Sequence, residues 1–188
     1  TVHYGAGPWE VDLHAFAVKY DGFIDLRASG AEDPASGFAI YDYLQTDATF
    51  YGAEAEASYR LWQDGDRSFS LEGAADYVHG DTDLGAPARI PPWSVTGRAV
   101  FNGGWWTGKL ELRRVAEQDR VAEFELPTDS YMMLNASLSA TPFEDKNLKL
   151  FAEARNINDA EAREHVSFLK DLAPLPGRNF RIGAGYKF

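Results

Sequence analysis

The sequence predicts an all-β protein, specifically a transmembrane antiparallel β-barrel wall with about nine strands in this chain. Three observations lead to this fold class. Apolar and polar residues alternate along most of the 188 residues, which is the period of a strand and not of a helix. Aromatic rings stand near the ends of the apolar face of several segments, and short connections alternate with long ones. These features are typical of a wall with lipid on one side and water on the other.

The alternating segments define the expected strands. Residues 49–61 are an example, because Tyr51 and Ala53 fall on one face while Glu54 and Glu56 fall on the other. The predicted strands, in chain order, are 1–4, 9–17, 49–61, 68–77, 91–101, 105–114, 132–140, 147–155 and 178–188.

The distribution of rings and charges favours a membrane barrel over a soluble β-sandwich or lipocalin-like barrel. Tyr51 and Tyr59 stand on either side of a run of alanines, and Trp93 and Phe101 stand on either side of Gly97. Amphipathic rings at both ends of a lipid-facing strand form the two aromatic girdles of such a barrel. The opposite face carries charges in mid-strand, namely Glu54, Glu56, Glu72, Arg98, Lys109, Glu111, Arg113, Glu153 and Arg155.

The connections between strands alternate in length. Turns rich in Gly, Asp, Asn and Pro are expected at 5–8, 63–67, 102–104 and 142–147. Long loops are expected at 21–45, 79–90, 117–128 and 157–178. With Phe188 at the periplasmic end, every short turn falls on the periplasmic side, as in outer-membrane barrels.

Composition excludes several classes of function. The chain has no cysteine, so a disulfide framework, a zinc–thiolate site and a thiol nucleophile are excluded. A net charge of -11 argues against a nucleic-acid partner, which requires a basic surface. No catalytic motif such as G-x-S-x-G occurs, so we expect no enzyme activity and no cofactor.

A resemblance to a known family is strongest in the last 40 residues or so. It rests on N-I-N-D at 156–159, E-A-R-x-H at 161–165, S-F-L-K-D-x-A-P-x-P-G-R at 167–178 and the alternating last strand. This stretch is similar to the C-terminal end of TonB-dependent outer-membrane receptors, and the branch that takes up zinc and similar metals resembles it most. Residues 51–59 and 89–101 also resemble the barrel of that family.

The resemblance implies a 22-stranded barrel with a plug in its lumen. Residues 1–188 would then be the C-terminal portion of the barrel in the bacterial outer membrane, without the plug and without a TonB box. The implied function is uptake of a metal chelate, a metal ion or another scarce nutrient with energy coupled through TonB. The implied partners are outer-membrane lipid, the plug and N-terminal strands, the barrel-assembly machinery, and TonB through the missing N-terminal region.

Two groups of residues are candidates for specific roles. Phe180, Ile182, Tyr186 and Phe188 resemble the signal that the barrel-assembly machinery reads, and they also suit a lipid-facing wall. The ligand-facing candidates are His14, His79, Asp81, Asp83, Arg163 and His165. Imidazoles beside carboxylates suit zinc or similar ions, but no His pair has ligand spacing, so no metal site is assigned.

Other readings remain open from the sequence. In one reading of the 157–178 loop, exposed charges such as Arg163, Glu164 and His165 line a ligand vestibule. In the other, residues 158–165 form a short helical turn at the outer surface, capped by Asn158 or Asp159. The whole chain could instead be a complete small outer-membrane barrel of about eight or ten strands with a structural or adhesion role. A soluble binding module is a third possibility.

Overall fold

The computed structural model describes residues 1–123, 125–143 and 147–188. In this part of the chain, nine strands form one antiparallel sheet in sequence order, which confirms the predicted fold class and strand number. The strands are β1 Val2–Ala6, β2 Trp9–Glu32, β3 Ala39–Asp64, β4 Arg67–Thr82, β5 Ser94–Gly103, β6 Trp106–Val115, β7 Tyr131–Ala140, β8 Leu148–Arg155 and β9 Asn179–Tyr186.

The pairing register puts the alternating residues on two faces of the sheet. One, which we call the outer face, carries the predicted apolar residues; Leu110 pairs there with Ala99 and Ala136, and Ile182 pairs with Ala152. The other, the inner face, carries the mid-strand charges. The described sheet is open, because β1 and β9 do not pair with each other.

Two rows of rings flank the small residues of the outer face, as predicted. In one row Trp9 packs on Tyr59 with ring centroids 4.4 Å apart, and Phe101 packs on Trp106 at 5.0 Å. In the other row the rings of Tyr51 and Tyr77 lie 6.5 Å apart. The sheet therefore has the girdle arrangement of a lipid-facing wall.

Short connections lie at one end of the sheet, the turn end, and long ones at the other, the loop end. At the turn end, Gly7, Gly65 and Gly104 adopt positive φ in three tight turns, where glycine has no steric cost. The fourth predicted turn, 142–147, lies partly outside the described residues. The long connections at the loop end run over 83–93, 116–130 and 156–178, and Phe124 of the second is outside the described part.

The predicted long loop at 21–45 is wrong. β2 continues to Glu32 and β3 begins at Ala39, so the two strands form an extended hairpin closed by residues 33–38. The pairing shifts between Tyr20 and Phe23, and Gly22 has a φ of 79°. Because of this bulge, the inner face of β2 is formed by even-numbered residues before Gly22 and by odd-numbered residues after it. The apolar alternation that predicts a strand is interrupted at this point.

Aromatic rings on the inner face lie over glycines of the adjacent strand. Phe16 pairs with Gly52, and Phe151 pairs with Gly183. A Cβ atom at Gly52 would meet the Tyr77 carbonyl oxygen at 2.5 Å and the Phe16 ring at 2.7 Å. Only glycine allows this close approach between strands.

Buried side chains concentrate under the loops and not in the middle of the sheet. Val115, Tyr131 and Ala162 form a small buried cluster with Met133 and Leu175 packed against it. No helix in the described ranges is long and apolar enough to cross a membrane.

Candidate functional site

Charges on the inner face are separated into two regions. Strands β2 to β4 carry an acidic region, and strands β5 to β9 carry a mainly basic one, as the register between neighbouring strands shows. The carboxylates of the acidic region are Glu10, Asp12, Glu54, Glu56, Glu72 and Asp76. The charged residues of the basic region are Arg98, Lys109, Glu111, Arg113, Lys149, Glu153, Arg155 and Arg181.

Acids in the basic region are paired, whereas several in the acidic region are not. Arg98 Nε donates to Glu111 Oε2 at 2.7 Å, and Arg181 Nη2 donates to both oxygens of Glu153 at 2.9 and 3.0 Å. Within the described part of the chain, Glu54 and Glu56 form neither a hydrogen bond nor an ion pair. The acidic region therefore has a negative potential that cations would reduce.

His14 lies on the inner face, as predicted. It pairs with Glu54 of β3, and its Nδ1 is 3.0 Å from the Thr1 hydroxyl oxygen. A second histidine, His3, lies on the same face, and its Nδ1 is 2.7 Å from Asp12 Oδ1. Of the described residues, His3, Glu10 and Asp12 form the one group of three with donor atoms close enough to hold a metal ion, each atom within 4.8 Å of the others.

His79 and Asp81 are in strand β4 and not in a loop as predicted. His79 pairs with Tyr51 and stacks on its ring at 4.9 Å, so it lies on the outer face at the loop end. Its Nε2 is 2.9 Å from Asp81 Oδ2, and Asp81 also pairs with Arg120. These two residues therefore point away from the inner face. Asp83 is exposed in the loop that follows β4.

The carboxylate of Glu125 links the three long connections at the loop end. It accepts hydrogen bonds from the backbone N–H groups of Arg89 and Ala122, each at 3.2 Å. Lys170 Nζ lies 3.3 Å from the same carboxylate, and the Lys170 side chain is 5% exposed. A buried ion pair with this many backbone donors fixes the relative positions of the loops. We call the residues around Glu125, Lys170 and His165 the loop cluster.

His165 is a member of this cluster, and its predicted exposure is wrong. The residue is 2% exposed. Its Nδ1 is 3.0 Å from the Thr128 hydroxyl oxygen, and its Nε2 is 3.4 Å from Glu125 Oε1. Burial, followed by the nearby Lys170 charge, lowers the pKa of His165. His165 thus packs between loops and does not line an open vestibule.

Arg163 and Glu164 hold the same connection to its surroundings. Arg163, which is half-buried, donates to Glu161 at 2.9 Å and to the Lys170 carbonyl oxygen. Glu164 accepts from Arg113 of β6 at 3.1 Å and from the Tyr131 hydroxyl of β7 at 2.8 Å. The loop therefore lies over the loop ends of strands β6 and β7.

The predicted helical turn near Asn158 is absent from the described residues. Asn158 instead binds β7, accepting from Leu134 N at 2.9 Å and donating to the Met132 carbonyl oxygen at 2.8 Å. Asp159 has a φ of 55° and accepts from Arg178 N at 2.8 Å. Both side chains are used to fold the loop onto the sheet, so neither caps a helix.

The last strand presents three residues of the predicted assembly signal on the outer face. Phe180, Ile182 and Tyr186 pair with Ala154, Ala152 and Leu148 of the same face. Phe188 follows the strand and packs on Tyr186 with ring centroids 5.2 Å apart. Their role as an assembly signal stays a prediction, whereas their lipid-facing position follows from the register.

Sequence reasoning missed Glu125, Lys170 and Thr128, the partners of His165. Glu125 is 45 residues from Lys170 in sequence. The residues next to Glu125 in the sequence are those of an ordinary polar loop, so they do not indicate that its carboxylate is buried. One sequence feature gave a hint, because the S-F-L-K-D motif includes Lys170.

Comparisons with known proteins agree with this architecture. The family model "TonB dependent receptor-like, beta-barrel" matches residues 1–157. Among solved structures, the copper transporter OprC is similar over 99% of this chain, with a TM-score of 0.83 and 21% identity. The FrpB iron transporter from Neisseria meningitidis (F3-3 variant) is similar over 99%, with a TM-score of 0.73 and 14% identity.

A third similar structure is a mutant of the ferric enterobactin receptor PfeA from Pseudomonas aeruginosa, with a TM-score of 0.63, 15% identity and 99% of this chain covered. The chain spans 30% of the length of each of these three proteins. No curated protein sequence gives a significant match. The match over 1–157 and the nine-stranded sheet establish that this chain belongs to the TonB-dependent receptor β-barrel family and is part of an outer-membrane wall.

Proposed function

We propose that this chain forms part of a receptor that imports a metal chelate, a metal ion or another scarce nutrient across the outer membrane with energy coupled through TonB. The observation that carries the proposal is the family match over residues 1–157. Support for a metal-containing nutrient comes from the similar structures, which include a copper transporter, an iron transporter and a ferric enterobactin receptor. We propose a transport role and not a catalytic one.

Residues 1–188 are proposed to be the C-terminal part of the barrel. All described strands lie in one sheet, and the solved structures that it resembles are more than three times longer. The plug and the N-terminal strands would pack against the inner face and the edge of β1. TonB would act through a region outside residues 1–188, and the barrel-assembly machinery would recognise β9. The soluble binding module considered from the sequence does not fit an outer-membrane family.

Nutrient binding is proposed to use the inner face and the exposed parts of the loops, followed by displacement of the plug. Of the predicted ligand-facing residues, His14 faces the lumen, while Arg163 and Asp83 retain exposed surface at the loop end. We keep these three in the proposal. His79 and Asp81 point outward and His165 is buried, so we remove them from the ligand-facing set.

The experiment is nutrient uptake by cells that carry or lack the gene for the full-length receptor. Accumulation of radioactive iron, copper and zinc is measured, each as the free ion and as a chelate, with TonB present and absent. We expect one of these to accumulate only when the receptor and TonB are both present. Equal accumulation of all of them in both strains would contradict metal import.

A further inference from the structure

Three side chains converge where β1 and β2 meet near the turn end. His3 of β1 pairs directly with Asp12 of β2, and Gly5 pairs with Glu10. All three side chains project from the inner face, because residues two apart on one strand share a face. Their donor atoms lie within 4.8 Å of one another. Backbone pairing across one tight turn therefore fixes the distance between an imidazole and two carboxylates.

The His3 ring is oriented so that Nδ1 is hydrogen-bonded to Asp12 and Nε2 has no hydrogen-bond partner among the described residues. Nδ1 is 2.7 Å from Asp12 Oδ1, which is a strong hydrogen bond between an imidazole and a carboxylate. No partner of Nε2 occurs in the described part of the chain. A metal-binding histidine characteristically donates its other N–H to a carboxylate, which orients the ring and raises its basicity.

Glycine leaves the space in front of the free nitrogen open. A Cβ atom at Gly5 would lie 3.5 Å from His3 Nε2, so a larger side chain at this position would cover the nitrogen. Gly5 does not need glycine for its backbone, because its φ is not positive. His3, Gly5 and Glu10 line one cavity of about 330 Å³, which is open to the inner face.

The surrounding charge favours a cation. Glu10 makes no hydrogen bond or ion pair in the described ranges. Asp12 lies opposite Glu56 of the adjacent strand, and the Glu56 side chain also makes no hydrogen bond or ion pair there. Arg60 is the positively charged residue that lines the same cavity, and its guanidinium donates to Gln63. A second cavity, which shares Glu10, is lined by Asp12, Glu56, Glu72 and Arg98. These four carboxylates outnumber the guanidiniums of Arg60 and Arg98, so the local potential favours a divalent cation over an anion.

We propose that His3 Nε2 and the Glu10 carboxylate bind a divalent first-row transition-metal cation, with Asp12 orienting His3 from behind. Imidazole and carboxylate together suit zinc and related ions, and water would complete the coordination. The site lies on the lumenal wall at the periplasmic end, far from the loops where a nutrient enters. A cation bound there would lie close to the periplasmic opening of the barrel. The inference does not depend on which nutrient the receptor imports.

The experiment is zinc binding to the purified full-length receptor in detergent, after removal of metal with a chelator. Equilibrium dialysis and calorimetry give the number of bound zinc ions and their affinity. Relative to the wild type, His3→Ala and Glu10→Gln are each expected to lose one zinc ion. Asp12→Asn is expected to keep the site but to weaken it by about 10–100-fold, the usual effect of losing an orienting carboxylate.

Two further variants separate coordination from general effects. Gly5→Val retains every ligand but covers Nε2, so it is expected to lose the same zinc ion. His79→Ala removes an imidazole that lies on the outer face and bonds to Asp81, so it is expected to bind as much zinc as the wild type. Heat-modifiability on gels shows whether each variant is folded, and a variant that is not folded is replaced by Gly5→Val in the comparison.

Unchanged zinc stoichiometry and affinity in both Glu10→Gln and Gly5→Val would overturn the proposal, because the ion then binds elsewhere. Equal losses in His79→Ala and His3→Ala would also overturn it, since the loss would then not depend on a position on the inner face. Binding in detergent requires neither TonB nor import. Failure of this site is therefore distinguishable from failure of the proposed transport function.

Discussion

Glu125 and Lys170, which are 45 residues apart in sequence, form a buried ion pair at the extracellular end of the wall with 3.3 Å between Oε1 and Nζ. Backbone N–H groups of Arg89 and Ala122 bind the same carboxylate. A carboxylate that is removed from water needs this full set of donors. One side chain therefore connects three extracellular loops.

Glu125→Gln is expected to release the 156–178 connection from its neighbours. Removing one partner of a buried pair leaves an uncompensated charge, here Lys170, at a cost of about 3–5 kcal/mol in the free energy of local opening. The measurement is hydrogen exchange of residues 156–178 in the full-length receptor. Glu123→Gln, an exposed acid of the same loop, is the control and is expected to leave exchange unchanged. Equal protection in wild type and Glu125→Gln would contradict the role of Glu125.

Acidification is expected to loosen the same connection through His165. Burial and Lys170 lower the pKa of His165 below its ordinary value of 6.5, although Glu125 and Asp171 act in the opposite direction. The open loop therefore binds a proton more tightly than the closed loop does. The stability that neutral His165 provides is present above about pH 6.5 and is lost as the pH falls below it.

A spin label at Leu172, an exposed position in this loop, reports the change as increased mobility between pH 7.5 and pH 5. His165→Gln keeps a side chain that can bond to Thr128 but removes the titrating group, so its mobility is expected to be independent of pH in this range. A pH response of the same size in His165→Gln would assign the effect to another group.

Gly52→Ala is expected to destabilise the barrel. The added methyl group would lie 2.5 Å from the Tyr77 carbonyl oxygen and 2.7 Å from the Phe16 ring, and the backbone oxygen cannot move without disturbing the β3–β4 pairing. Overpacking of this kind costs about 1–3 kcal/mol. The temperature at which the folded band disappears in heat-modifiability gels should fall. Gly97→Ala is the matched control, because no atom lies within 4 Å of its added Cβ.

Nitroxide labels at neighbouring residues of β7 are expected to report opposite environments. A label at Leu138 should be accessible to oxygen and protected from a water-soluble nickel reagent, since it faces acyl chains. A label at Ser137 should show the reverse because it lies on the inner face. Similar accessibility at both positions would show that the outer face does not contact lipid.

Alternation was sufficient to predict the strands whose two faces meet different solvents. It failed after Tyr20, where the bulge at Gly22 moves the inner face from even-numbered to odd-numbered residues. Asp25 and Arg27 then become buried inner-face residues, although they resemble loop residues in the sequence. Sequence periodicity cannot reveal a change of phase unless the extra residue is already known.

Contacts between loops could not be predicted for a different reason. His165 has the charge pattern of a solvated loop residue, and only the folded arrangement brings Glu125, Thr128 and Lys170 around it. The His3–Asp12 contact is intermediate, because a tight turn makes the two residues neighbours once strand register is fixed. Pairs across a tight turn thus follow from local patterns once the register is known, whereas pairs across long loops do not.

The long hairpin of β2 and β3 extends beyond the membrane at the loop end of the sheet. A membrane-spanning strand uses about 9–11 residues, so roughly 14 of the 24 residues of β2 stand outside the bilayer, an extended length of about 45 Å. Tyr43, which is 76% exposed, and Phe38 lie near its tip. Two exposed aromatic side chains are therefore held well above the membrane surface at the loop end of the sheet.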